Sequence, residues 1–218
     1  MTPGHTIYKG IYSLRPGYYM YFDGHCEPIC YWKLHDEEHT DNLEETTQKV
    51  KELVIDSVQK QLLSDVPLST MLSGGLDSSI ITAITKQYVQ PLTTYSITYE
   101  DQEKYFKAYD YQTSMDDDYI REMVERYQSD HHKITLKQLD LLNSLEEALI
   151  ARDMPGMADV DSSFLLFSKE IAKNHKVSLS GECADEIFGG YPWFYKEELY
   201  NQPYFPWMRD FMVFSNFF

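Results

Sequence analysis

The sequence is short of basic residues and has no long apolar segment, and each deficit excludes a class of protein. Its 218 residues hold 19 Lys and Arg against 35 Asp and Glu, a formal net charge of -16, so we expect no nucleic-acid or membrane-surface partner. No apolar stretch approaches the roughly 20 residues that span a bilayer. The first residues, MTPGHTIYKG, contain neither a signal-peptide core nor a charged leader, which predicts a cytoplasmic protein.

Cysteine is also scarce. Three cysteines at uneven spacing do not make a disulfide framework. The segment HCEPIC, followed by His35 and His39, has some features of a zinc site. Structural zinc sites usually pair cysteines two to four residues apart with a second pair further on, but here Pro28 lies between Cys26 and Cys30. A hairpin is therefore the favoured interpretation, with a metal site as the minor alternative.

Residues 1–38 differ from the rest of the chain. Short aromatic β-type runs are broken at Pro16-Gly17 and Asp23-Gly24, which predicts a meander with a hairpin turn. The segment is too small to bury a core of its own. We therefore predict a boundary here, with residues 39–218 as a second unit.

Helical and strand patterns alternate from Thr40 onward. Apolar residues recur at helical spacing from Leu43 to Leu62, behind Thr40 and Asp41 as candidate caps. Residues 101–118 show no clean period and are expected to form an exposed connection. Strands are predicted at VPLSTML, LTTYSIT, HHKITL and KVSLS, and helices at SSIITAITKQY, YIREMVERYQ, QLDLLNSLEEALIA and SSFLLFSKEIAKNH. The alternation predicts an α/β fold with a doubly wound parallel sheet.

Two loops occupy the place where ligands bind in such a sheet, between a strand end and the next helix. SGGLDSS follows the first strand of the sheet, and SGECADEIFGG follows the last. Gly74 and Gly75 allow the backbone to turn and approach a ligand, and the amides that follow form an anion cradle. Ser73, Ser78 and Ser79 add hydroxyl donors. The loop has neither the lysine of a Walker motif nor the G-x-G-x-x-G of a dinucleotide site.

The acids in these loops predict a metal. Asp77 repels phosphate unless a divalent cation lies between them, and Mg²⁺ is bound by one or two carboxylates together with phosphate oxygens. The second loop supplies Glu182, Asp185 and Glu186 at the same sheet edge. The alternative is that all four are solvated acids of surface turns, but the pairing of two such loops favours a site for Mg²⁺ and a polyphosphate.

The two loops resemble those of a known family. LSGGLDSS is similar to the pyrophosphate-binding loop of ATP-cleaving amidotransferases, and LSGECADEIFGGY to the S-G-E-G-A-D-E-x-x-G-G-Y signature of glutamine-dependent asparagine synthetases. Residues 1–35 resemble the end of that family's glutaminase domain. The resemblance implies a sheet of the ATP-pyrophosphatase (adenine nucleotide α-hydrolase-like) type. It also implies that residues 1–38 are the remnant of an N-terminal-nucleophile glutaminase domain, and 39–218 a synthetase domain truncated at its C-terminus.

The activity that the resemblance implies is ATP-dependent amide formation. Aspartate attacks the α-phosphate of ATP, pyrophosphate leaves, and ammonia from glutamine converts β-aspartyl-AMP to asparagine. The family's cysteine nucleophile and its phosphate-contacting lysine have no counterpart here, so the chain alone is expected not to hydrolyse glutamine and not to be fully active as an asparagine synthetase family ligase. Two other hypotheses stay open: a β-lactam or peptide cyclase type of synthetase, which often has Tyr at the position of Glu182, and a catalytically incomplete nucleotide-binding module.

The resemblance also implies roles for individual residues. Asp77 and Asp185 hold Mg²⁺, and Glu182 contacts the substrate amine or takes a proton from ammonia. The catalytic set is therefore Asp77, Glu182 and Asp185. The groups that bind ATP or pyrophosphate are Leu72 and Ile97 beside adenine, Ser73, Gly74, Gly75, Asp77, Ser78 and Ser79 at the phosphates, and Ser180 and Gly181 closing the pocket.

Several expectations concern residues around this set. Glu186 is expected to support its neighbours, and Asp153, Asp159 or Asp161 to lie in or near the aspartate-side wall. Cys183 and Thr98 stand where the family usually has Gly, and Cys183 is expected to be a small core thiol. The C-terminal segment is unusually aromatic, so self-association, such as a homodimer, is expected through Phe211, Phe214, Phe217 and Phe218.

Overall fold

The computed structural model describes residues 3–24, 26–107 and 115–200. The elements in chain order are β1 (Tyr18–Tyr19), β2 (Ile29–Cys30), α1 (Leu43–Gln61), β3 (Leu68–Met71), α2 (Leu76–Tyr88), β4 (Thr93–Tyr99), α3 (Gln102–Tyr105), α4 (Asp117–Tyr127), β5 (Asp130–Leu136), α5 (Gln138–Asn143), α6 (Leu145–Arg152), α7 (Ala158–Ala172), β6 (Val177–Leu179), α8 (Ala184–Phe188), a 3-10 turn (Pro192–Phe194) and α9 (Glu197–Tyr200). All four strands predicted after residue 40 are present, as β3, β4, β5 and β6.

These four strands form one parallel sheet in the order β5-β4-β3-β6. The central strand β3 pairs with β4 from Ser69 opposite Thr93, and with β6 from Leu68 opposite Val177. Strands β3 and β6 are therefore neighbours, although more than 100 residues separate them in the chain. Consequently, the two loops with candidate functional residues leave the sheet side by side.

Helices cover both faces of the sheet, which confirms the predicted doubly wound architecture. On one face, Val58 of α1 and Ile84 of α2 pack with Leu179 of β6. On the other, Phe167 of α7 packs with Tyr95 of β4. Because successive residues of a strand point to opposite faces, the same sheet contributes side chains to both hydrophobic clusters. None of the helices in the described ranges is both long and apolar enough to cross a bilayer.

Two local predictions need correction. The cap of α1 is Asn42, and neither Thr40 nor Asp41: its Oδ1 accepts from the amides of Glu44 and Glu45 at 2.9 and 3.0 Å. The carboxylate of Glu45 in turn accepts from the Asn42 amide at 3.0 Å, which completes a capping box. The single helix predicted over 138–151 is two helices, because Ser144 turns its hydroxyl back to the Asp140 carbonyl at 2.9 Å.

Replacing Asn42 by Ala is expected to lower the free energy of unfolding by about 1 kcal/mol, because two amides of the first turn lose their acceptor. Chemical denaturation monitored by circular dichroism measures the change. Thr40→Ala serves as the matched control and should stay within about 0.5 kcal/mol of the wild type. The reverse ranking of the two variants would contradict the assignment of the cap.

The N-terminal segment contains the predicted hairpin in short form, β1 paired antiparallel with β2. Gly17 is required there because a Cβ at this position would lie 2.2 Å from the carbonyl oxygen of Trp32. Among the residues that the structure describes, no group of three or more His, Cys, Asp or Glu is arranged to hold a metal. His25, part of the minor zinc alternative, lies outside these ranges, and the boundary between residues 38 and 39 stays a prediction.

Candidate active site

The loop between β3 and α2 has the geometry of an anion-binding turn. Gly74 adopts the left-handed backbone with φ +84, which favours glycine. Gly75, the residue before α2, is extended and gives the helix no side-chain cap. The amide of Asp77 donates to the carboxylate of the same residue. The cap position gives the other first amides of α2 no side-chain acceptor, so they remain available to an anion.

One serine fixes the shape of this loop from within. Ser78 is buried, and its Oγ donates to the carbonyl of Gly75 at 3.1 Å and accepts from the amide of Ser73 at 3.1 Å. Its Oγ also lies 3.0 Å from the Oγ of Ser73. The hydroxyl of Ser78 is therefore occupied by the loop itself. Its local contacts favour a structural contribution over direct donation to a ligand.

The second loop contacts the first at Gly181. A Cβ built on Gly181 would lie 2.9 Å from the backbone nitrogen of Ser78 and 3.0 Å from the Cβ of Asp77. The first distance is shorter than real Cβ contacts and the second is at their lower limit, so glycine is needed here for the loops to approach as they do. Ser180, just before it, orients the loop by accepting from the amide of Glu182 at 3.2 Å.

A cavity of about 410 Å³ lies between the two loops. Three residues of the predicted set do not line this cavity. Leu72 is buried and borders a smaller neighbouring cavity, whereas Gly74 and Ser79 belong to the loop only. The predicted site residues that line the larger cavity are Ser73, Gly75, Asp77, Ser78, Ile97, Ser180, Gly181, Glu182, Asp185 and Glu186. The structure thus brings most of the predicted set together at one sheet edge.

The cavity is strongly acidic. Burial raises the pKa of Asp77, and the nearby charge of Asp185 raises it further. Desolvation, together with Glu186 and Asp185, raises the pKa of Tyr191, whose hydroxyl donates to Glu186 at 3.4 Å. Among the described residues that line the cavity there is no Lys or Arg. The two facing aspartates therefore present uncompensated negative charge, which fits a divalent cation held jointly with phosphate oxygens.

Helix α7 supplies the opposite wall, through Val160, Ser163 and Phe164. The hydroxyl of Ser163 accepts from Tyr99 at 3.0 Å and donates to the carbonyl of Asp159 at 2.6 Å, which ties the wall to β4. The period of α7 could have indicated the exposed Phe164, which no sequence motif contains. Tyr191 is the last residue of the LSGECADEIFGGY signature, but it was given no role in the predicted site.

The three aspartates that were candidates for this wall do not line the cavity. Asp161 forms an ion pair with Arg152 at 2.5 Å, and only 17% of its side chain is exposed. Asp153 accepts a hydrogen bond from the hydroxyl of Tyr8. The charges of Asp153 and Asp161 are thus engaged elsewhere, and other residues of the same segment form the wall instead.

Cys183 is exposed, so the expectation of a core thiol is wrong. The residue has a left-handed backbone with φ +72, at the turn that begins α8. This turn lies at the cavity rim, away from both hydrophobic clusters. The left-handed conformation also gives a physical reason for the glycine that related sequences usually have here.

A second, smaller cavity of about 110 Å³ adjoins the first and shares Met71, Ser73 and Ile97 with it. It is lined by Leu72 and Ile97, the two residues predicted beside adenine, and also by Thr98 and Asp116. The last of these comes from the segment expected to be a featureless connection. The sequence did not single out Asp116, because nothing in its local pattern distinguishes it from the two aspartates that follow.

Comparison with known proteins agrees with this geometry. The family model described as asparagine synthase matches residues 49–217. Glutamine-hydrolysing asparagine synthetase 3 of Bacillus subtilis is 50% identical over 215 residues, which cover 96% of this chain and 35% of the relative. Asparagine synthetase B of Escherichia coli is 33% identical over 159 residues, covering 68% of this chain and 28% of the relative.

Solved structures give only distant similarity. NMN synthetase from Francisella tularensis superposes with a TM-score of 0.40 at 14% identity, covering 71% of this chain and 61% of that one. A glutamine-dependent NAD+ synthetase from Acinetobacter baumannii gives a TM-score of 0.41, also at 14% identity, and covers 72% of this chain and 29% of that one. The present chain spans about a third of the length of the curated relatives it matches.

Proposed function

Because the chain belongs to the asparagine synthase family, we propose that it carries the ATP-dependent synthetase part of a glutamine-hydrolysing asparagine synthetase. In the proposed reaction the side-chain carboxylate of aspartate attacks the α-phosphate of ATP, and the bond from that phosphorus to pyrophosphate breaks. Ammonia then displaces AMP from β-aspartyl-AMP and gives asparagine. We also propose that the fold is of the ATP-pyrophosphatase type and that a glutaminase domain supplies the ammonia.

The observation that carries this proposal is the contact of the two loops at Gly181. It brings Asp77 and Asp185 to one cavity, beside the uncapped amides at the start of α2. A polyphosphate needs both features at once, since amides bind its oxygens and a shared cation neutralises them against carboxylates. Solvated acids of unrelated turns would not meet in this way.

The phosphate loop would hold the pyrophosphate as it leaves. Ser78 holds the carbonyl of Gly75 at 3.1 Å and so fixes the start of α2. The amides of its first turn therefore need little reorganisation when charge develops on the leaving group. Ser79 remains a candidate for a further hydrogen bond. The hydroxyl of Ser73 is used within the loop, because Ser78 Oγ donates to the Gly75 carbonyl and so accepts from Ser73 Oγ at 3.0 Å. Asp77 and Asp185 would hold Mg²⁺, which supplies Lewis-acid stabilisation of the phosphate charge when it is bound.

The aspartate end of the cavity would lie toward α8 and α7. Glu182 is exposed at the rim and is suited to bind the substrate's ammonium group or to take a proton from ammonia. Glu186, held by Tyr191, adds negative charge nearby. The apolar side chains of Val160 and Phe164 would limit the size of the substrate and exclude water from the reacting carboxylate.

The proposal extends to localisation, binding partners and self-association. We propose a cytoplasmic protein with small-molecule partners (ATP, aspartate and ammonia), without nucleic-acid or membrane partners. Self-association as a homodimer also stays a proposal, because the four C-terminal phenylalanines on which it depends lie outside the described residues. Light scattering at high protein concentration tests it, and a monomer there would contradict it.

The protein supplied with ATP, Mg²⁺, aspartate and ammonium is expected to release pyrophosphate and form asparagine. A coupled pyrophosphate assay and amino-acid analysis measure the two products. Omission of aspartate is the control. Failure to bind ATP at millimolar concentration with Mg²⁺ would contradict the proposal. Pyrophosphate release that does not depend on aspartate would contradict the role of aspartate as the attacking carboxylate.

One observation favours a second candidate, a nucleotide-binding module without full activity. No Lys or Arg among the described residues lines the cavity, and a cationic side chain near the reacting phosphate is a common component of phosphoryl-transfer sites. Binding of ATP without any pyrophosphate release, under conditions in which aspartate also binds, would support this second candidate.

A further inference from the structure

Three consecutive aspartates at the start of α4 have different partners. Asp117 forms an ion pair with Lys133 at 2.8 Å, and Asp118 forms one with Arg121 at 2.8 Å. The side chain of Asp116 makes no hydrogen bond or ion pair within the described part of the chain. Asp116 is an exposed residue, but partial desolvation of its carboxyl, with Asp117 beside it, raises its pKa. An unpartnered carboxyl with a raised pKa in a cleft is a candidate for ligand binding.

Asp116 lies directly behind the phosphate loop. A Cβ built on Gly74 would be 2.8 Å from the Asp116 carbonyl oxygen and 3.3 Å from its Cβ. Asp116 also lines the smaller cavity, which Ser73 connects to the larger one. A nucleotide whose phosphates lie on the loop would therefore direct its nucleoside half toward Asp116.

The smaller cavity combines apolar walls with few free polar groups. Met71, Ile120 and Phe167 supply apolar surface suited to a flat heteroaromatic ring. The carbonyl oxygen of the Gln102 side chain is already used, since it accepts from Thr98 Oγ1 at 2.9 Å and from the Tyr99 amide at 3.3 Å. Asp116 is the lining carboxylate without such a partner among the described residues, and an ionised carboxylate only accepts hydrogen bonds.

We propose that Asp116 accepts a hydrogen bond from an N–H or O–H donor on the nucleoside half of ATP, and so determines which nucleotide the site selects. The donor is either the exocyclic amine of adenine or a ribose hydroxyl, and both present the same chemistry to a carboxylate. This inference rests on the proposed function and adds a specificity-determining residue to it. An analogue that lacks the donor loses this charge-assisted hydrogen bond, so the site binds it more weakly than ATP.

Calorimetric titration of the protein with ATP, inosine triphosphate and 2′- and 3′-deoxyATP, each with Mg²⁺, tests the proposal. Asp116→Asn is expected to weaken ATP binding about tenfold, since it exchanges a charged acceptor for a neutral one. If the donor is the adenine amine, the variant should bind the 6-oxo analogue at least as well as the wild type does. If the donor is a ribose hydroxyl, the corresponding deoxy analogue should bind wild type and variant equally.

Asp118→Asn is the matched control, because it makes the same substitution two residues away on a side chain that is 79% exposed and paired with Arg121. It should leave all four affinities unchanged, and thermal unfolding should show that both variants fold. Unchanged ATP affinity in Asp116→Asn, or an equal loss for all four nucleotides, would overturn the inference while leaving the proposed function intact. A wild type that binds no ATP would overturn both.

Discussion

Aspartate-dependent pyrophosphate release is expected to fall by about 10²-fold or more when Asp77 is replaced by Asn. The substitution keeps the shape of the side chain but removes one of two charges that would share Mg²⁺, and loss of a preorganised electrostatic contact to a transition state typically costs at least this much. Asp185→Asn should have a comparable effect. The double variant should be little worse than either single one, since the two residues act on one ion.

The dependence on pH provides an independent check. Burial and Asp185 raise the pKa of Asp77, so protons compete with Mg²⁺ at a higher pH than they would at an ordinary aspartate. Metal-dependent activity should be complete above the raised pKa and should disappear as the pH falls through it. Activity measured against Mg²⁺ concentration at several pH values shows this competition as a rising apparent metal requirement toward acid.

Asp65→Asn is the matched control for these measurements. Asp65 is exposed and lies just before β3, at the opposite end of the strand that leads into the phosphate loop, so the same loss of charge should leave activity within about twofold of the wild type. Wild-type Mg²⁺ dependence in Asp77→Asn would show that the two carboxylates do not share an ion, and the ligase proposal would lose its main support.

The second large effect is expected from one added methyl group. Gly181→Ala places a Cβ 2.9 Å from the backbone nitrogen of Ser78. The clash is with the backbone, so no side-chain rotation can relieve it. Overpacking of this kind costs typically 1–3 kcal/mol. If the loops separate to relieve it, ATP affinity should fall about 10- to 100-fold while the sheet, whose core lies elsewhere, stays folded.

Calorimetric titration with ATP and Mg²⁺ measures the loss, and thermal unfolding distinguishes it from a general loss of structure. Cys183→Gly is the matched control, because it alters the same loop two residues away without adding atoms between the loops. Its left-handed backbone, φ +72, suits glycine, so this variant should keep its ATP affinity. Wild-type affinity in Gly181→Ala would mean that the two loops are not in contact.

Much of the fold could be predicted from local patterns. The four sheet strands and the helices between them follow from runs of apolar residues and from helical spacing, which are short-range properties of the chain. The errors are also local in character. Asn42 rather than Thr40 caps α1, and Ser144 divides a predicted helix, because a single side-chain hydrogen bond decides between neighbouring candidates that composition does not separate.

The part of the candidate site that lies at the ends of strands could be predicted from the sequence. Both loops follow parallel strands, and the carboxyl ends of parallel strands meet at one edge, so Asp77 and Asp185 could be placed together in advance. The aspartates at 153 and 161 were less predictable. Tyr8 and Arg152 engage their charges, and sequence spacing does not reveal which partner reaches a side chain first.

The sequence by itself determined the α/β class, the two acidic loops and the family, because these depend on residue types at fixed short spacings. Only the tertiary structure decided that β6 lies beside β3 and that Gly181 is pressed against Ser78. It also showed that, of three adjacent aspartates, Asp116 is the one whose side chain has no partner among the described residues. The physical reason is that strand order and side-chain pairing are set by packing between segments far apart in the chain, where local spacing carries no information.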